Sequence, residues 1–450
     1  MDELTLRSAL AIDAFTVVIC LVIAIKEART PLHPAWTFLG LHLYIVTFRL
    51  VQLYAGAIPL KVGFAWPVSV SEMIRAGVAS DIGLLAIAAG WIVARVKLRR
   101  SRPAPPKVVV VSKLRILLGA ALAMAGGAFG LLTVRRFERG VTNTSWDQTG
   151  YLFATTSWPA WSMCLLHFIY GFPILLLIVT LGVFIVVGFT NARFAVIIPM
   201  IFLTLLWLSR RRSSKFPFVL VAGILAAFLV WLPMKPFVKM VKGGSGATDS
   251  AVEAIRFTYA EFNKEEGSLD QQFLDMVAAT MTLSDVHGSW YWGGTILPLF
   301  TSPVPRILWP EKPKMNQYQV DLQVPSRNMT DYGMTAGLVA EGYVNFGYAG
   351  VVLYCFGVGF AFAWAYWKVA RSDRRSASWL LYLFCLASAA QLYRDGLISG
   401  VWFPFVYAAP IGFMAISHWI WKPGRLREAP MVKPTVVKSA EYVGQGLQIE

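Results

Sequence analysis

The stretch SALAIDAFTVVICLVIAI, residues 8–25, runs eighteen residues with a single ionisable side chain, Asp13. As a helix it rises about 27 Å, close to the roughly 30 Å of hydrocarbon in a bilayer. Lipid offers no water to bare backbone groups, so the stretch has to close its hydrogen bonds on itself as a helix. Ahead of it, MDELTLRSAL puts Asp2 and Glu3 where a signal peptide carries positive charge, and the segment is expected to stay as a span.

The same pattern recurs along the chain. Spans are expected at 35–57, 74–95, 114–134, 154–171, 172–189, 194–209, 216–234, 344–368, 378–397 and 400–421, which with the first makes about eleven. Of the 450 residues 56% are hydrophobic and 15% charged, and mean hydropathy is +0.57. A soluble domain carries about 25% charged residues. The expectation is an all-α polytopic membrane protein.

The formal charge of +16 would suggest nucleic acid in a soluble protein. Here the excess sits in short loops: KLRRSRPAPPK (97–107), SRRRSSK (209–215), KVARSDRR (368–375) and the tail after Lys422. Basic short loops face the cytoplasm, which puts the N-terminus outside, the C-terminus inside and argues against a nucleic-acid partner. The chain then divides into a bundle at 1–234, a large external loop at 235–343, closing helices at 344–421 and a cytoplasmic tail at 422–450. Within the loop, SLDQQFLDMVAATM predicts a helix opened by a Ser268-x-x-Gln271 capping box, with Phe273, Met276 and Val277 on its buried face.

Four cysteines fall in apolar segments and five histidines are scattered, with no HExxH, CxxC or DxD pattern, so no metal and no other cofactor is expected. There is no Walker loop for ATP hydrolysis. What remains is arginine and carboxylate at external helix ends: Arg193 in GFTNARFA, Arg306 and Lys312 in PRILWPEKP, Arg394 and Asp395 in LYRDGLISG. Arginine's planar fork holds two phosphate oxygens at once and keeps its charge. Glu341, in AEGYVNFGYAG, enters the bilayer from the loop and is a candidate general base. Deeper in the spans, Arg49 and Asp81 are expected to pair, because lone charges are costly in lipid.

PRILWPEKP, then EGYVNFGYAG before a span, then YRDGL between the last two spans resemble the bacterial Wzy-type polymerases, which join O-antigen, enterobacterial common antigen and related oligosaccharide repeat units. The resemblance is clearest over residues 300–400, with GFTNARF an upstream echo. It implies a metal-independent, GT-C-like glycosyltransferase of the bacterial inner membrane acting at the periplasmic face on undecaprenyl-pyrophosphate-linked oligosaccharides. Arg193, Arg306, Lys312 and Arg394 would hold the pyrophosphate, and Glu341 or Asp395 would serve as base. A chain-length regulator and a flippase are the implied protein partners, and membrane lipids the surroundings. In PVPRILWPEKPK (303–314) the prolines would stiffen a cationic rim, with Trp309 at the interface. Two rival readings are an O-antigen ligase, for which the loop histidine His287 would matter, and a lipid-linked-sugar flippase without bond chemistry.

Overall fold

The computed structural model describes residues 2–28, 30–57, 68–100, 113–134, 156–190, 194–210, 273–288, 290–301, 337–370 and 376–407, with a few isolated positions at 252–256 and 304–311. Every regular element among them is a helix: α1 (Asp2–Glu27), α2 (Pro34–Tyr54), α3 (Val70–Arg100), α4 (Lys113–Val134), α5 (Trp158–Tyr170), α6 (Ile174–Thr190), α7 (Phe194–Arg210), α8 (Phe273–His287), α9 (Leu297–Thr301), α10 (Gly337–Val369) and α11 (Ala377–Tyr407). Thr5–Glu27, Pro34–Tyr54, Val70–Leu98 and Gly337–Val369 are long and apolar enough to cross a membrane, and Ile116–Gly130, Ile174–Val187 and Val196–Arg210 are shorter apolar helices. Among the described residues the protein is all-helical, with several helices apolar and long enough to span a membrane, as a membrane protein requires. The expected span at 216–234, most of 400–421 and the basic tail lie outside the described residues.

Helices that face lipid need not hide their apolar side chains, and α1 and α6 show this with Phe15, Ile25, Ile174 and Leu175 all exposed. Two cores lie behind them. One joins α1, α2, α3, α8 and α10; the other joins α5, α6 and α7 to the first half of α11. Helices α3 and α10 approach backbone to backbone, since a Cβ on Gly359 would collide with the Ile87 carbonyl and one on Gly90 with Phe360. Without water to drive helices together, such close packing supplies the attraction.

Two helices turn on themselves. In α10, Phe346 (φ −149°, ψ 25°) and Gly347 (φ 60°, ψ −145°) leave helical geometry. A Cβ on Gly342 would sit 2.8 Å from the Gly350 carbonyl oxygen. Eight residues of continuous helix span about 12 Å, so the chain doubles back here. The span expected at 344–368 is therefore preceded by a short separate helix that contains Glu341. Helix α11 does the same at Gly396 (φ 85°, ψ −179°), where a Cβ on Gly400 would collide with Leu392. That corner falls at the expected junction of the last two spans.

The helix expected in the large loop is present as α8, with Phe273, Met276 and Val277 buried. Its capping box at Ser268 and Gln271 lies outside the described residues. Burial extends beyond the expected single face: every residue from Phe273 to Ser284 is buried, because α8 is wedged against α3 and α10. The pairing expected between Arg49 and Asp81 is corrected. Arg49 makes a bidentate ion pair with Asp275 of α8, Nε to Oδ2 at 2.8 Å and Nη2 to Oδ1 at 2.9 Å, both side chains essentially inaccessible.

Candidate functional site

The two corners meet at one end of the bundle. Helix 337–345 lies against the end of the first arm of α11, so that a Cβ on Gly337 would stand 3.1 Å from the carbonyl oxygens of both Tyr393 and Arg394. Beyond the α11 corner the first amides of a new helical arm have no carbonyl of their own to bind. Glu341 fills this gap: its Oε2 accepts from the Leu397 N–H at 2.6 Å, and a carboxylate is favoured at a helix N-terminus. Its Oε1 accepts from the Thr295 hydroxyl at 3.1 Å. Gly396 has to be glycine twice over, for its φ of 85° and because a Cβ there would collide with Oε2 of Glu341.

Asn345, one turn after Glu341, ties the site to the loop before α9. Its Oδ1 accepts from the Gly293 N–H at 2.7 Å, and its Nδ2 donates to the Thr295 hydroxyl and the Glu341 carbonyl, each at 2.7 Å. Glu341 is 2% exposed, so this network holds a carboxylate almost wholly out of water. Arg394 and Asp395 sit on the α11 corner. The Arg394 guanidinium lies 4.4 Å from the centre of the Phe273 ring, and its Nε is 3.1 Å from Asp395 Oδ1.

Thus Glu341, Arg394 and Asp395 share one end of the bundle. Arg193, Arg306 and Lys312 lie outside the described residues. At the same end the structure adds residues that the sequence did not single out. Arg75 bonds to Asp285 and to the Tyr343 hydroxyl, which itself donates to Asp285 Oδ1 at 2.9 Å. A reciprocal cap at the start of α3 precedes Arg75: Ser69 N–H donates to Glu72 Oε2 at 2.6 Å and Glu72 N–H to Ser69 Oγ at 3.2 Å. That Ser-x-x-Glu pattern was legible and would have fixed where α3 begins. Thr295 and Asn345 carried no such signal.

The far ends of α3 and α10 form the other end of the bundle. There Arg95 pairs with Glu27, the Tyr366 hydroxyl bonds to Thr30 at 2.9 Å, and Tyr382 donates to the Leu32 carbonyl at 2.6 Å. The first residues of the basic stretches, 97–100 and 368–370, lie at this end, opposite Glu341. No protein-family model, no characterised protein and no solved structure matches the chain.

Proposed function

We propose that the chain is a Wzy-type polysaccharide polymerase: an inner-membrane glycosyltransferase of about eleven spans, GT-C-like, that joins undecaprenyl-pyrophosphate-linked repeat units at the periplasmic face. One observation carries the reading. Two of the motifs that resemble such polymerases, EGYVNFGYAG and YRDGL, are distant in sequence, yet both form helical corners and lock together through Glu341 and Leu397. Two of the basic stretches begin at the opposite end, which supports a periplasmic position for the corners.

In the proposed reaction a glycan passes from its polyprenyl pyrophosphate to the non-reducing-end hydroxyl of a fresh lipid-linked unit. The anomeric C–O bond breaks with its electron pair going to the pyrophosphate, the acceptor oxygen bonds to the anomeric carbon, and the acceptor proton leaves to a base. Negative charge grows on the pyrophosphate and positive charge on the ring. Arg394, steadied by Asp395, takes the first, with Arg193, Arg306 and Lys312 as its expected companions. Glu341 takes the proton. Each of its oxygens accepts one hydrogen bond from the protein, and a carboxylate oxygen can accept two.

Purified protein in liposomes with a defined lipid-linked repeat should yield a ladder of longer glycans. Glu341→Gln should bind the repeat and give no ladder. A ladder of wild-type length from Glu341→Gln would remove Glu341 as base and leave Asp395. His287, exposed at the end of α8, is the feature a ligase would use. A product found only on an added lipid A core acceptor would replace the polymerase reading with that one.

A further inference from the structure

The five histidines look scattered along the chain, but one of them is not isolated in space. His42, fully buried in the middle of α2, places Nε2 3.0 Å from Oδ1 of Asp13 on α1 and 3.2 Å from Oδ1 of Asp81 on α3. All three side chains are buried, and one ligand atom from each lies within 4.8 Å of the others. On its far side, His42 Nδ1 is 3.1 Å from the Tyr393 hydroxyl, itself buried. Immediately after His42 the helix widens into a π-turn over Leu43–Thr47. Single π-turns of this kind recur at functional sites.

Hydrogen bonding within the group does not balance. One imidazole nitrogen faces two carboxylates, and Asp13 Oδ2 finds no hydrogen-bond partner among the described residues. Two carboxylates and a neutral imidazole carry two negative charges between three helices that face lipid on their other sides. Uncompensated charge at such depth is costly. An imidazolium would cancel one of the two, and a divalent cation would cancel both.

We propose that Asp13, His42 and Asp81 form a binding site for one divalent first-row transition ion of the zinc class, separate from the Glu341 site and independent of the polymerase reading. The donor set argues for this class: one imidazole nitrogen with two carboxylates suits zinc and its neighbours, whereas magnesium and calcium take oxygen alone. Ligand atoms held about 2.0–2.1 Å from a tetrahedral ion stand roughly 3.3 Å apart, close to the 3.0 and 3.2 Å found here. Tyr393 supplies the outer contact that metal-bound histidines need, accepting from Nδ1–H and leaving Nε2 free to ligate. The sequence concealed the site because each ligand comes from a different helix.

The test is metal content of the full-length protein in detergent. After chelator treatment, exposure to zinc and removal of free ion, wild type should retain about one zinc per chain by mass spectrometry. His42→Gln and Asp81→Asn should retain none while eluting as the same monodisperse species. Tyr393→Phe keeps all three ligands, so it should keep the stoichiometry and bind roughly 10- to 100-fold more weakly. Cobalt in place of zinc should give visible absorption bands in wild type that the ligand variants lack. Wild type that takes up no zinc, or ligand variants that take up as much as wild type, would overturn the site and leave protons, one on His42 and one shared between the aspartates, as the neutralising charge. Should the ligand variants misfold, cobalt-treated wild type without visible absorption bands would overturn it as well.

Discussion

Helix α8 is fastened to the N-terminal bundle by two ion pairs of the same chemistry in opposite surroundings. At one point Arg49 grips Asp275 with two hydrogen bonds, side chains 1% and 0% exposed. Ten residues further along α8, Arg75 meets Asp285 with side chains 33% and 36% exposed. Water decides what each pair is worth. In the buried pair both charges have already lost their hydration, so removing one partner strands the other. In the exposed pair water replaces whatever is lost, and the net contribution is small. The buried pair sets where α8 sits; the exposed pair is available for something other than folding.

The sharpest way to break this comparison is Asp275→Ala, which leaves a buried guanidinium without its acid. The expected loss is about 3–5 kcal/mol, seen as a collapse of the melting temperature in detergent and poor yield from membranes. Replacing both members, Arg49→Met with Asp275→Leu, should recover most of it, because no charge is then stranded. If Asp275→Ala melts with wild type, the wedge of α8 between α3 and α10 is held by packing alone.

Next in size is Gly396→Ala. Its φ and ψ of 85° and −179° lie in a region that only glycine enters freely, at about 1–3 kcal/mol for any other residue. The added methyl would also push Glu341 off the Leu397 amide. This variant should therefore cost moderate stability and, under the proposed function, nearly all polymer. A stable variant with a full ladder would show that the interlocked corners are not part of the chemistry.

The corners also show how far the sequence could be read. Spans with a continuous apolar run, such as 8–25 and 74–95, announced themselves by length, and a junction of the last two spans near Arg394 and Asp395 was visible. The partners of buried charges were not. Arg49 and Asp81 lie in neighbouring spans, and nothing local favoured Asp275, which sits in a segment whose polar flanks suggested an external loop. Periodicity told which face of α8 is apolar but not that its polar face is covered too. His42 gave no hint of Asp13 and Asp81, since proximity across helices depends on rotation about their axes, which composition does not fix.

A smaller effect is expected at His33, which joins the spans at the end of the bundle opposite Glu341. Its Nδ1 accepts from the Ala35 N–H at 3.2 Å and so caps α2, while the ring packs edge-on against Tyr366. Burial, with Arg95 nearby as a second cause, pushes its pKa from 6.5 down to about 3. The sign follows: between those values the unfolded chain binds a proton that the folded one refuses, so stability falls as pH drops below about 6.5. The full contribution is present above that pH, and the slope approaches about 1.4 kcal/mol per pH unit toward pH 4. His33→Asn can still cap the helix but does not titrate, so melting curves from pH 7 to 4.5 should flatten. An unchanged pH profile would place the acid sensitivity on other groups.

The smallest effect, and the one that completes the comparison, is at the exposed pair. Asp285→Asn removes a charge that is about one-third accessible, and Arg75 keeps the Tyr343 hydroxyl as a partner, so the expected cost is under about 1 kcal/mol. Salt separates this pair from the buried one. At 1 M ionic strength the screening length is about 3 Å, and the difference in melting temperature between wild type and Asp285→Asn should vanish. The difference between wild type and Asp275→Ala should persist there, because ions do not reach Arg49. If salt erases both differences, both pairs are in contact with water and the contrast drawn from their burial is wrong; if it erases neither, Arg75 and Asp285 are part of the packed core, and α8 is held as firmly at its exposed end as at its buried one.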